Sequence, residues 1–202
     1  MKLPVRRRIF LALTAALLPA AAQAHVGVQI VALIAGALHP WINLDSALLL
    51  TGLSLWLAQT ATSTDNKYFV IVGLALTTGV AGGLFVQLAA PLWLIYGVAL
   101  GAGLCVSFNF KPRPIPWPIP WLIALGAAAL LAGYYAGADA AADVAAPTMF
   151  LLGVLASGLV VPLSIAVLLG ERRSRIMQIG IRILGSWLSA ISLMLLALRL
   201  HG

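Results

Sequence analysis

The sequence predicts an all-α polytopic membrane helix bundle: six spanning helices plus an N-terminal extracytoplasmic half-helix, after a cleaved signal peptide. Three observations predict it. The 202 residues are 62% hydrophobic and only 8% charged, with mean hydropathy +1.07, against about 25% charged residues in a soluble domain. The apolar residues fall into runs close to the roughly 20 a helix needs to cross a bilayer. The ten-residue alternating segments of a transmembrane barrel are missing, so helices must satisfy the backbone in lipid.

Residues 1–24 read as a secretory signal peptide. Lys2 and Arg6, Arg7 and Arg8 form the basic region, and 9–18 is a ten-residue apolar stretch, short for a span. Pro19 breaks it, and Ala22-Gln23-Ala24 has the small-x-small form of a cleavage site. The rival reading is an uncleaved first helix. With cleavage, the chain divides into 1–24 and a single transmembrane domain, 25–202, whose first residue is His25.

The next apolar stretch, 26–38, has thirteen residues and is too short to span. It suits a half-helix that ends in the polar island Leu38-His39-Pro40-Trp41-Ile42-Asn43-Leu44-Asp45-Ser46. Apolar segments follow at 44–60, 67–88, 91–108, 119–138, 147–170 and 176–199.

Loop charge orients these segments. Lys67, then Lys111 and Arg113, then Arg172, Arg173 and Arg175 mark every second connection as basic. The connections between them, near Pro91 and around Asp139 and Asp143, carry no base. By the positive-inside rule the basic loops are cytoplasmic. The first full span then runs inward, with His25, His39 and Asp45 on the extracytoplasmic side. This holds only if 26–38 does not cross, as its length independently suggests. The expected location is a bacterial inner membrane, with the mature N-terminus extracytoplasmic.

The net charge of +7 belongs to these topology signals, so nucleic acid is not an expected partner. Cys105 is a single cysteine in an apolar run and excludes an intrachain disulfide. The prolines from Pro112 to Pro120 form a stiff linker. Gly97 and Gly101, Gly79, Gly82 and Gly83, and Gly133 and Gly137 have the spacing that lets membrane helices approach closely. No intramembrane Ser/His or paired-carboxylate arrangement points to catalysis, so the chain is read as a non-enzyme.

Chemistry concentrates in the polar island. A carboxylate deep in a membrane helix costs roughly 2.5–3.5 kcal/mol, so Asp45 needs compensation. A bound cation is one source, with His39 and Asp45 as core ligands and His25 as the entry ligand. Plainer accounts stand beside it. Asn43 or Asp45 could cap the following helix, and His39 could end the half-helix by bonding a carbonyl. A solvated loop accounts for Asp139 and Asp143.

These residues resemble a known family. A signal peptide ending in Ala-His, a small-residue half-helix, then His-Pro with an Asp six residues after the His, is similar to the HupE/UreJ pattern, roughly His-Pro-x-x-Gly-x-Asp-His. Here His39, Pro40 and Asp45 are in place, Asn43 stands for the glycine and Ser46 for the second histidine. The family's second motif, approximately Phe-His-Gly-x-Ala-x-Gly-x-Glu, has its counterpart at 95–103. Tyr96 replaces the histidine there and Gly103 the acid. The resemblance implies a nickel or cobalt permease associated with hydrogenase or urease. Imidazole, carboxylate and an amino-terminal histidine suit copper as well. Asn43, Ser46 and Tyr96 are then candidates to line the site or its path. The alternative is a non-transporting subunit or assembly partner of a larger metalloprotein.

Overall fold

A computed structural model describes residues 26–60, 67–86, 92–110, 119–140, 147–171 and 174–201. The expected signal peptide, His25 and Asp143 lie outside the described residues. Seven helices follow in order: α1 Val26–Ile42, α2 Leu44–Thr60, α3 Lys67–Phe85, α4 Leu92–Ser107, α5 Ile119–Ala140, α6 Pro147–Glu171 and α7 Arg175–His201. Among the described residues there is no strand.

The apolar segments recur as α2 to α7, with ends shifted by a few residues. The number of clear spans is smaller than the six expected. Helices α3, α6 and α7 are long and apolar enough to cross a bilayer, and the bent pair α1–α2 makes a fourth if counted as one span. Helix α4, with 16 residues, reaches only about 24 Å at 1.5 Å per residue. The hydrocarbon core is about 30 Å thick. For α4 the shortfall arises because apolar sequence runs past its end: Phe108 and Phe110 extend the hydrophobic segment but lie beyond the helix. At the end of α4, Asn109 adopts φ 52°. Its N–H bonds the Val106 carbonyl at 3.0 Å and the Phe110 N–H bonds that of Cys105 at 2.8 Å. That is a Schellman stop, built on one of the few residues that tolerate a left-handed backbone.

The first helix also differs from expectation. It does not break at His39-Pro40; it continues to Ile42 and stops at Asn43 alone. A proline this close to a helix end removes a single backbone bond, and membrane helices accommodate that loss. Helix α2 then departs at 76° to α1. Ala32 of α1 packs in one cluster with Val80, Ala136, Phe150 and Val154. Helix α1 therefore sits at the end of the bundle where α3 and α5 finish and α6 begins.

Helix α2 is the centre of the bundle. Twelve of its residues are buried, with Leu50, Leu53 and Leu57 wholly so. A helix apolar on every side belongs in the middle of other helices. Around it, glycines set the spacing. A Cβ on Gly79 or Gly83 of α3 would strike the Leu130 or Tyr134 carbonyl of α5, and one on Gly133 or Gly137 would strike α3 in return. Gly36 and Gly153 do the same for α1 and α6. In lipid, packing of this kind supplies the association that the hydrophobic effect cannot. Gly97 and Gly101 are the exception to the expected pattern. They face open space, and α4 instead packs through Ala99, Ala102 and Gly103.

Polar contacts sort the helix ends. Gln59 Nε2 donates to the Val106 carbonyl at 3.0 Å, and Arg182 Nε to that of Ser107 at 2.9 Å. These contacts gather the ends of α2 and α4 with the start of α7. At the opposite end the Tyr134 hydroxyl donates to the Val86 carbonyl at 2.8 Å. The basic connections thus leave from one end of the bundle and the polar island sits at the other.

Candidate functional site

The site begins with how Asn43 turns the chain. Its backbone N–H makes the last bond of α1, to the His39 carbonyl at 3.2 Å, and its carbonyl accepts the Ala47 N–H at 2.9 Å. Its side-chain Oδ1 accepts the Asp45 N–H at 3.2 Å. Asn43 is thus the N-cap of α2, one of the residue types preferred there. The Asp45 carboxylate is left free of capping duty. It still lies in the first helical turn, where the helix dipole favours negative charge.

That carboxylate faces α4. The Tyr96 hydroxyl donates to Asp45 Oδ1 at 2.7 Å, a short bond of the charge-assisted kind. Tyr96 is itself buried, at 4% exposure. Arg199 stands in the last turn of α7 and is exposed. Two helices, α2 and α4, therefore meet at one carboxylate.

His39 faces another way. Its ring stands edge-on to Phe150 of α6, centroids 5.3 Å apart at 64°. Its Nε2 is buried and has no hydrogen-bond partner, so the side chain does not end the helix by bonding a carbonyl. The ring lines an apolar groove of about 740 Å³ with Leu38, Ile42, Asn43 and Phe150 among its walls. An orphaned buried ring nitrogen is uncommon, because such groups are normally satisfied.

The structure brings some predicted residues together and separates others. Asp45 and Tyr96 meet. Asn43 serves both the cap and the groove. Ser46 is fully buried with its hydroxyl unpartnered. His39 and Asp45 turn to different neighbours, Phe150 and Tyr96, because the chain between them is helix, one-residue turn and helix. Asp139 lies in the last turn of α5. Among the described residues no three His, Cys, Asp or Glu side chains gather to hold a metal ion.

Among the described residues, seven apolar helices with a histidine and a carboxylate near one end of the bundle define a polytopic membrane protein. The chain matches the family model described as "HupE / UreJ protein" over residues 12–195 and belongs to the HupE/UreJ family. Membership makes it a metal-related accessory membrane protein. Neither the curated proteins nor the solved structures contain a match.

Proposed function

We propose that this protein binds a divalent transition metal, nickel or cobalt by family and copper by ligand chemistry, and carries it inward from the extracytoplasmic side. The observation that carries the reading is an orphaned imidazole nitrogen at His39 and a helix-start carboxylate at Asp45 on either side of the Asn43 turn, each facing its own neighbour. Both lie at the mouth of the central helix in a HupE/UreJ chain. Imidazole and carboxylate are the donors that nickel, cobalt and copper accept.

In this reading His39 and Asp45 are successive stations and His25 captures the ion first. Asn43, Ser46 and Tyr96 line the way in, while Asp139 and Asp143 supply negative charge on the same side. The protein sits in a bacterial inner membrane with its mature N-terminus outside, following removal of residues 1–24. No phosphate-binding loop occurs in the sequence, so the membrane potential is the available driving force. It is worth about 2.3 kcal/mol per charge per 100 mV, or roughly 4.6 kcal/mol for a divalent cation. That supports about 10³-fold accumulation.

A second reading is a membrane subunit that assists assembly of a larger metalloprotein without transporting. It is favoured by the tight seam of α4 on α7, where a Cβ on Gly103 would meet Ser189 Oγ at 2.6 Å, leaving little room for an ion. Uptake of nickel, cobalt and copper into proteoliposomes separates the two. Transport predicts metal accumulation by the wild type and its loss in His39→Ala and Asp45→Ala. Absence of uptake with retained metal binding selects the second reading.

A further inference from the structure

On the side of the basic connections, the seam between α4 and α7 ends in an exposed guanidinium. Arg182 of α7 donates from Nε to the Ser107 carbonyl at 2.9 Å, the last carbonyl of α4. Beside it the Ser107 and Ser186 hydroxyls meet at 2.9 Å. Ser186 Oγ donates to the Arg182 carbonyl at 3.1 Å. These bonds fix where the guanidinium stands and use both hydroxyl protons within the protein. Among the described residues the side chain makes no other bond, so most of its N–H donors are left over. The one described carboxylate side chain, Asp45, lies at the opposite mouth of the bundle.

Depth and surroundings say what can meet those donors. Helix α7, with 27 residues, is about 40 Å long, against about 30 Å of hydrocarbon. Arg182 lies two turns, about 10 Å, from its start. It therefore stands near the edge of the hydrocarbon, within reach of headgroups. Phe108, Ile179 and Ile183 flank it and are exposed. Trp187 and Ile191, also exposed, continue from Ile183 toward the bilayer centre.

We propose that Arg182 holds the phosphate of an anionic phospholipid on this seam, with an acyl chain laid along Ile183, Trp187 and Ile191. The inference needs the membrane placement of α7 and not the metal reading. A guanidinium presents a planar fork that matches two phosphate oxygens. Basic pockets between membrane helices are where such headgroups lodge. Arg175, exposed at the start of the same helix, adds a second positive charge and favours a headgroup of net negative charge over a zwitterionic one. A free phosphate ion gains nothing from the apolar strip, whereas a phospholipid answers both the charge and the strip. The lipid braces the end of the short helix α4 against α7.

The test strips the full chain of lipid in a mild detergent and titrates it with dioleoylphosphatidylglycerol. Melting temperature and the native mass spectrum are read together. Wild type should show a saturable rise in melting temperature with a single lipid retained. Dioleoylphosphatidylcholine at the same mole fraction, and inorganic phosphate, should give neither. Arg182→Gln should weaken phosphatidylglycerol binding about tenfold or more, the scale of losing hydrogen bonds to a charged group. Arg182→Lys keeps the charge without the fork and should fall between. Ser186→Ala cuts the hydroxyl bridge but keeps the guanidinium. Lys67→Gln removes an equal charge from the start of α3, at the same end of the bundle. Both should bind as wild type does.

Binding left unchanged by Arg182→Gln and Arg182→Lys overturns the proposal. An equal loss in Lys67→Gln also overturns it, because diffuse surface charge then accounts for the binding. An equal loss in Ser186→Ala does so by tracing the effect to loosened packing. A response to phosphatidylcholine or inorganic phosphate as strong as that to phosphatidylglycerol overturns the anionic lipid as the ligand.

Discussion

Tyr96 donates its hydroxyl to Asp45 Oδ1 at 2.7 Å and so ties the start of α4 to the start of α2 across 51 positions of sequence. The bond joins the two motifs through which the chain resembles its family. It also sets two residues at the point where the family pattern is altered, since Tyr96 stands where that pattern has a histidine.

Tyr96→Phe removes the donor and leaves Asp45 with one partner fewer. Hydrogen bonds to charged groups are worth about 1.5–3 kcal/mol, and the partial exposure of Asp45 places this one near the lower end. The expected result is a lower melting temperature in detergent with the helical circular-dichroism signal unchanged below the transition. Melting like that of wild type would mean the bond contributes nothing.

Tyr96→His restores the family's residue. An imidazole opposite Asp45 would place a nitrogen ligand beside the carboxylate, matching the preferences of nickel and cobalt. Equilibrium dialysis should show tighter nickel binding than wild type. Weaker binding would place the metal elsewhere.

Asn43→Ala removes the N-cap of α2. The cost should be about 1 kcal/mol, read as a shift in melting temperature. Asn43→Asp keeps an acceptor at the cap and should recover most of it.

Gly83→Ala inserts a methyl group against the Tyr134 carbonyl. Forcing α3 from α5 should cost about 1–3 kcal/mol. Gly97→Ala and Gly101→Ala meet open space and should melt like wild type. The contrast checks that α4 packs through Ala99, Ala102 and Gly103, on a different face from Gly97 and Gly101.

Much of the fold was legible in the sequence. Runs such as 44–60 and 147–170 locate α2 and α6 almost residue by residue, because turn residues and charges punctuate an otherwise apolar chain. The small-residue spacing correctly marked Gly79, Gly83, Gly133 and Gly137 as contact points. It failed for Gly97 and Gly101, because periodicity reports that residues share a face and not which face is inward. The apolar stretch ends at Leu38, but α1 runs on through His39 and Pro40 to Ile42. Asn43 stops the helix instead, as its side chain offers the next helix a cap. At the site, Asp45 and Tyr96 were both nameable from their motifs. Their bond depends on how α2 and α4 pack. No local pattern encodes that packing.

The most direct test of the central claim is the metal content and affinity of the purified protein across nickel, cobalt, copper and zinc. Asp45→Asn and His39→Ala should be measured alongside. The account predicts saturable binding of one or more of these ions by wild type, weakened at least about tenfold in each variant, as loss of a ligand or its supporting group typically does. A wild type that binds none of them, or variants that bind as wild type does, would contradict it.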